Sequence, residues 1–456
     1  MAKLPLVAII GRPNTGKSTL FNRLVRRRVA IESEVPGTTR DHVTSIVETP
    51  DLDYLLIDTG GMGGGTEDKD FEDDVHAQSL LALKAADVIV FTVDGREEPT
   101  RNDFAIADLL RKKSKRRVPV LLVINKCDNE QQAENAEHAF HELGIGDETF
   151  LVSAAHRIGT EELEQSIVRH LGERQFGKRS ERSEADSLIP RIAIIGKPNV
   201  GKSSITNALM SETQREISPK LVSDIPGTTR DATDTLIRWQ DQDFLFIDTA
   251  GLRKNARVEE GVESLSMLRT IQSLDDCDVA LLVLDATEPP SKQDKKIAGL
   301  AVDAGKCLII LLNKTDLITT EQKMERKREL MIAFQFCRWA PVIPCSAVSR
   351  EGLLKIFDMA LAAQRNRQRR LPVKELHRFI VDAVADQPMS SLASAKHIVQ
   401  AKNPPPTFIV FVKNPKRVQL SQLRFLENRL RETFGLEATP IRIITKGPKD
   451  REKEDE

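Results

Sequence analysis

A chain of 456 residues, 40% apolar and 30% charged, is too long for one ordinary core and suits two to three domains. No apolar run reaches the roughly 18–20 residues that span a bilayer, and the five cysteines form no C-x-x-C pair, which points away from a disulfide framework or a zinc site. The opening "MAKLPLVAIIGRPN" runs straight into a strand and a glycine-rich loop with no room for a cleavable signal, so the expected compartment is the reducing cytoplasm. A net charge of −1 conceals a basic stretch: residues 365–446 hold sixteen Lys plus Arg against six Asp plus Glu. Such an excess is a solvated face or a surface for a polyanion.

In chain order, the first strand-like run is "LVAII", residues 6–10, and it enters "GRPNTGKS", residues 11–18. Gly11-x-x-x-x-Gly16-Lys17-Ser18, set between that strand and the helical "TLFNRLV", meets the phosphate-loop pattern in the context it requires. Its glycines let backbone N–H groups, with Thr19 next in line, close around the β- and γ-phosphates at a helix N-terminus. Lys17 supplies charge to those phosphates and Ser18 a hydroxyl ligand to Mg²⁺. "PGTTRD", residues 36–41, follows as a turn-forming segment. "YLLID", residues 54–58, ends in Asp58-Thr59-Gly60-Gly61, which places an Asp to hold Mg²⁺ through a water and the Gly61 N–H to meet the γ-phosphate. "DVIVFTVD" (87–94) and "VPVLLVIN" (118–125) come next, and the latter leads into Asn125-Lys126-x-Asp128. A carboxylate there accepts from both N1–H and N2–H₂ of guanine, a donor pair that adenine lacks. The stem of Lys126 can lie along the base, and "TFLVSA", residues 149–154, brings Ser153-Ala154 as a loop against the guanine O6.

The order then repeats: "GKPNVGKS", a second "PGTTRD", "LFIDTAG" and "LLNKTD" return at offsets of 185, 190, 190 and 188 residues. The corresponding residues are Gly196, Asn199, Gly201, Lys202, Ser203 and Ser204, then Asp248 and Gly251, then Asn313, Lys314 and Asp316, then Ser346-Ala347. A repeat this long is a duplicated domain. Apolar strands alternating with amphipathic segments predict an α/β fold, a mainly parallel doubly wound sheet in each copy, covered by helices. Between the copies, "GERQFGKRSERSEADS" has linker composition. After "AAQRNRQRRLP" the pattern becomes α-β-β-α-β over 372–446, its second helix ending at Gly435, before an all-charged tail. The expected boundaries are 1–171, a linker at 172–188, 189–364, a basic α+β domain at 365–446, and a tail at 447–456.

These elements in this order resemble the translation-factor-like GTPases, and two such domains before a small basic one resemble the EngA (Der) family of bacterial GTPases of large-subunit ribosome assembly. That resemblance covers nearly the whole chain. It implies GTP/GDP as ligands with Mg²⁺, GTP hydrolysis, a KH-like C-terminal domain, and the large ribosomal subunit, its rRNA and proteins, as partner. Separately from the resemblance, no membrane partner and a monomeric chain are the expectations. The resemblance assigns Thr39 and Thr229 to close over Mg²⁺ and the γ-phosphate, although Thr38 and Thr228 are open on the sequence alone. The Mg²⁺ sets are then Ser18, Thr39, Asp58 and Ser203, Thr229, Asp248, and catalysis falls to Lys17, Thr39, Gly61 and Lys202, Thr229, Gly251. Where small GTPases carry a water-orienting glutamine, this chain has Met62 and Leu252. In GTPases with that substitution a loop asparagine helps bind K⁺, so Asn14 and Asn199 are the implied ligands and K⁺-stimulated hydrolysis the expectation; the bland reading of each is a polar turn residue.

No G-x-x-G loop occurs in the basic domain, which argues against single-strand base readout of the KH type. Arg365, Arg367, Arg369 and Arg370, with Lys416 and Arg417, are the expected polyanion contacts. Two rivals are a membrane-associated GTPase, opposed by the lack of a C-terminal lipidation cysteine, and a binding module with decayed hydrolysis, opposed by two intact motif sets. Two sites suit a switch that reads more than one occupancy state. "GMGGGTEDKDFEDD" and its basic-then-acidic counterpart "GLRKNARVEEGVE" should make the copies differ, and nucleotide in one would reposition it against the basic domain.

Overall fold

A computed structural model describes residues 5–25, 44–59, 86–113, 118–173, 189–216, 234–247, 263–385, 391–395, 397–401 and 404–447. Strands β1 (Leu6–Ile10), β2 (Thr44–Glu48), β3 (Asp53–Asp58), β4 (Val88–Asp94), β5 (Val120–Asn125) and β6 (Glu148–Val152) form one sheet in the order β2-β3-β1-β4-β5-β6. All neighbours are parallel except β2, which pairs antiparallel with β3. Every residue of "LVAII" and "VIVFTVD" is buried, as expected of strands covered on both faces. Around them lie α1 (Lys17–Leu24), α2 (Arg101–Lys113), α3 (Glu130–Phe140) and α4 (Thr160–Glu173). In α4, Leu163, Ile167 and Leu171 recur every four residues and bury one stripe against the sheet.

The second sheet repeats the plan. Its order is β12-β11-β10-β7-β9-β8, built from β7 (Arg191–Ile195), β8 (Thr235–Trp239), β9 (Gln242–Phe246), β10 (Val279–Asp285), β11 (Cys307–Asn313) and β12 (Val342–Pro344). Here too the edge pair β8–β9 is antiparallel and the rest parallel. Helices α5 (Lys202–Glu216), α6 (Glu263–Asp276), α7 (Lys292–Asp303), α8 (Thr320–Ala333) and α9 (Lys355–Gln368) accompany it. The chain is poor in aromatics, at 4%, yet Trp239, Phe244 and Phe246 of the edge pair converge on Phe357 of α9 with ring centroids 5.5, 5.0 and 6.3 Å away. That cluster anchors the edge pair to the core.

The C-terminal segment folds as α10 (Val373–Ala385), β13 (His397–Gln400), β14 (Thr407–Phe411), α11 (Leu420–Phe434) and β15 (Arg442–Lys446). Its mixed sheet runs β13-β14-β15, antiparallel then parallel. Leu376, Phe379, Ile380 and Ala383 of α10 and Leu426, Leu430 and Phe434 of α11 supply its core. Gly435 ends α11 in the left-handed region at φ 63°.

This small domain and the second sheet lie in one compact unit, which takes in Ser266–Glu456. At the foot of β11, where β12 does not reach, the Leu308 N–H donates to the Ala438 carbonyl at 3.1 Å, and the Ala438 N–H donates to the Trp339 carbonyl at 3.2 Å. Arg431 stacks over the Trp339 ring at 5.2 Å and donates to the carbonyls of Leu436 (2.5 Å) and Thr439 (2.7 Å). Arg369 reaches the Phe434 carbonyl at 2.7 Å, Arg442 the Asp303 carbonyl at 3.2 Å, and Arg367 the Gly305 carbonyl. Three of the four clustered arginines read as polyanion contacts, Arg367, Arg369 and Arg370, are therefore engaged with backbone carbonyls, the last with Ala401.

Candidate nucleotide site, built twice

In each doubly wound sheet the strand order reverses at the first strand, and ligands of such folds bind beyond the carboxyl ends at that point. The structure puts the phosphate loop there: β1 leads into Gly11 to Gly16, and α1 begins at Lys17. Gly16 sits at φ 85°, and a Cβ on it would lie 2.3 Å from Asn125 Nδ2; Gly201, at φ 98°, stands in the same relation to Asn313. Only glycine fits where the loop passes this closely under the asparagine.

That asparagine ties the site together. Asn125 Nδ2 donates to the Thr15 carbonyl at 2.8 Å, and its Oδ1 accepts from the Ala154 N–H at 3.1 Å. Asn313 does the same with Val200 (2.9 Å) and Ala347 (3.1 Å). Asn125 and Asn313 are thus braces between the phosphate loop and the Ser-Ala loop, both amide ends being used within the protein. The neighbouring lysines are held in parallel fashion. Lys126 Nζ donates to the Asn14 carbonyl and to Asp94 Oδ2, each at 2.6 Å, and Lys314 Nζ to the Asn199 carbonyl (3.1 Å) and Asp285 Oδ2 (2.5 Å). Asp94 and Asp285, at the ends of β4 and β10, were not among the residues expected from sequence. Each closes an apolar strand directly opposite the motif asparagine on the neighbouring strand.

Asn14 and Asn199 adopt positive φ, 65° and 63°, the conformation that asparagine tolerates best after glycine. Their side chains are exposed. The loop lysines point inward: Lys17 Nζ donates to the Arg12 carbonyl at 2.8 Å, and Lys202 Nζ to the carbonyls of Gly196 (2.7 Å) and Lys197 (2.6 Å). Burial lowers both ammonium groups, Lys17 against the opposing pull of Asp58 and Lys202 to about 8. Ser18 and Thr19 are exposed at the start of α1, Ser203 is half-buried and Ser204 exposed at the start of α5. Ser18 Oγ donates to Asp58 Oδ2 at 2.7 Å, so a hydroxyl and a carboxylate meet beside the loop, the hard oxygen donors that Mg²⁺ takes. Thr59 is buried and donates to the Ile9 carbonyl at 2.8 Å, which pins the end of β3 to β1.

On the base side, Asp128 accepts from Ser153 Oγ at 2.7 Å and from Arg96 Nη2 at 2.5 Å. These donors, Arg96 first, hold its carboxyl below the usual carboxylate range. Asp316 is exposed after β11, and Ser346 is buried. Arg12–Glu97 (2.5 Å) and Lys197–Glu288 (2.7 Å) are equivalent ion pairs flanking the two loops. Thr39, Gly61, Thr229, Asp248 and Gly251, together with Met62, Leu252 and both "PGTTRD" segments, lie outside the described residues.

Two doubly wound domains, each with a lysine-bearing phosphate loop braced to a guanine-selective aspartate motif, define a tandem P-loop GTPase. Residues 6–126 and again 191–314 match the family described as "50S ribosome-binding GTPase", and residues 370–446 match the "KH-domain-like of EngA bacterial GTPase enzymes, C-terminal". Among curated relatives, the GTPase Der of Thermomicrobium roseum is 41% identical over 97% of this chain and 95% of its own length. That of Halalkalibacterium halodurans is 41% identical over 98% and 99%, and that of Listeria monocytogenes 40% over 98% and 99%. The chain belongs to the Der (EngA) family of GTPases.

Proposed function

We propose that this chain is a GTP-hydrolysing switch that acts in assembly of the large ribosomal subunit, with both sites competent. The observation that carries the nucleotide reading is the duplicated asparagine brace, which locks phosphate loop, guanine-reading motif and Ser-Ala loop into one geometry in each copy. The ribosomal part is supported by the family's description and by the basic C-terminal domain.

Nucleotide binding draws Lys17 and Lys202 from loop carbonyls onto phosphate oxygens, while Asp128 and Asp316 accept the guanine edge and the Ser153-Ala154 and Ser346-Ala347 loops lie against its O6, each alanine N–H shared between that oxygen and the bracing asparagine. Ser18 with Asp58, and by duplication Ser203 with Asp248, hold Mg²⁺, which when bound neutralises charge on the β- and γ-phosphates. Thr39 and Thr229 close over the γ-phosphate, and the Gly61 and Gly251 N–H groups meet it. Met62 and Leu252 cannot orient water. The exposed amides of Asn14 and Asn199 hold K⁺ in place of an arginine finger. The domain boundaries fall at 171, 189, 365 and 446, the chain is a cytoplasmic monomer, and occupancy of one G domain alters its placement against the basic domain.

Multiple-turnover phosphate release with GTP and ATP, in KCl and NaCl, tests the enzyme reading. GTP alone is turned over, faster in KCl, and Lys17→Ala and Lys202→Ala each remove one site's share. Equal rates in the two salts would sink the K⁺ assignment. Co-sedimentation with ribosomal particles that is absent, or identical with GDP and a non-hydrolysable GTP analogue, would sink the switch.

A further inference from the structure

The two copies differ at the guanine-reading carboxylate. In the first, both oxygens of Asp128 are engaged by the protein: Oδ2 by Arg96 Nη2 at 2.5 Å and Oδ1 by Ser153 Oγ at 2.7 Å, with His156 Nε2 4.0 Å from Oδ1. Arg96 is placed by its own backbone, whose N–H donates to Asp94 Oδ1 at 3.1 Å while Asp94 Oδ2 holds Lys126. The turn after β4 therefore fixes the motif lysine and delivers a guanidinium to the motif aspartate. In the second copy Thr287 stands at the corresponding position. Its N–H and hydroxyl both donate to Asp285 Oδ1, at 2.9 and 2.7 Å. Ser346 Oγ there accepts from the N–H groups of Val348 (3.2 Å) and Ser349 (3.0 Å), and among the described residues Asp316 has no ion-pair partner.

Guanine presents N1–H and N2–H₂ side by side and needs both carboxylate oxygens. A guanidinium offers the same planar fork to the same group. We propose that Arg96 is a built-in competitor for Asp128, a specificity-determining residue that the base must displace from Oδ2 on entering the first site. The inference rests on the reading of Asp128 as the guanine acceptor. Its consequence is an asymmetric pair: base entry at the first site exchanges one charge-assisted contact for another, whereas at the second it fills a carboxylate that has no ion-pair partner among the described residues. Hypoxanthine lacks the N2 amino group and needs one oxygen, which leaves the other to Arg96. Arg96 therefore penalises guanine more than hypoxanthine. Because the ion pair is solvent-exposed, the effect is small, about twofold to fivefold in Kd.

The test uses the full-length chain with Asp316→Ala, which cripples base selection at the second site, and reads GDP and inosine diphosphate binding by titration calorimetry. Adding Arg96→Thr should tighten GDP about twofold to fivefold and leave inosine diphosphate unchanged. In an Asp128→Ala background, Thr287→Arg should weaken GDP at the second site by a similar factor. If Arg96→Thr leaves GDP unchanged, weakens it, or tightens inosine diphosphate equally, Arg96 is not a competitor for the second oxygen. If neither form binds GDP at the first site, the guanine assignment of Asp128 itself fails, and the proposal with it.

Discussion

Burial of the Lys202 ammonium, which brings its pKa down to about 8, makes the second site pH-sensitive in a definite direction. Phosphates favour the charged lysine, so binding is flat below pH 8 and weakens above it as the free protein must take up a proton. GDP affinity at the second site should fall about tenfold between pH 7 and pH 9. Calorimetry at pH 8.5 in two buffers of different ionisation enthalpy should register that proton uptake. For folding the sign is opposite to that of a stabilised lysine. The unfolded chain holds a proton that the folded one lacks between about pH 8 and 10.5, so nucleotide-free stability gains from this group across that window as pH rises.

Gly201→Ala should drive its Cβ into Asn313 Nδ2, 2.3 Å away, and break the brace to Val200. Thermal unfolding should register a loss of about 1–3 kcal/mol, with weaker nucleotide binding. Motif glycines, lysines and aspartates were legible in the sequence because their chemistry sits in contiguous runs. Asp94 and Arg96 were not, since each meets a partner 32 residues away that only the adjacency of β4 and β5 brings close. Asn125 was legible as a site residue, but its work as a brace depends on loops 110 and 29 residues distant.

Among elements, the apolar strands and the α-β-β-α-β ending at Gly435 could be read directly from hydrophobic runs. The antiparallel edge strand β2, "TSIVE", is not legible in the sequence, because its apolar run is only Ile46-Val47 between polar residues. Equally hidden was the attachment of the C-terminal domain, which runs through α11 and the turn behind it. Arg431 is mostly buried and is satisfied by Glu427 at 2.8 Å, two carbonyls and the Trp339 face. Arg431→Ala leaves those carbonyls and Glu427 without their donor. It should cost about 3 kcal/mol and lower the melting temperature of this unit by roughly 6–12 °C. Amide exchange at Leu308 and Ala438 should accelerate in the same variant.

At the scale of the whole molecule, the basic excess of the last domain divides into two populations. Arg367 is half-buried and spent on the Gly305 carbonyl at the junction with the small domain, whereas Lys416 and Arg417 are exposed. On the polyanion reading, Lys416→Ala with Arg417→Ala should reduce the slope of log affinity against log salt for single-stranded RNA by about 1.4. Arg367→Ala should instead show itself in thermal stability and leave that slope nearly untouched. Fluorescence anisotropy over a salt series, beside a melting curve, separates the two. Composition announces total charge and is silent on which cations domain docking has already consumed.

The Ala438 insertion at the foot of β11 bears on how the chain can be dissected. A fragment truncated at 364, where the sequence pattern changes, would uncover the Leu308 amide and one face of the Trp339 indole. The smallest well-behaved piece carrying the second G domain should therefore extend through 446. Shorter versions would be expected to precipitate or to melt early, even though every nucleotide-contacting residue remained in place.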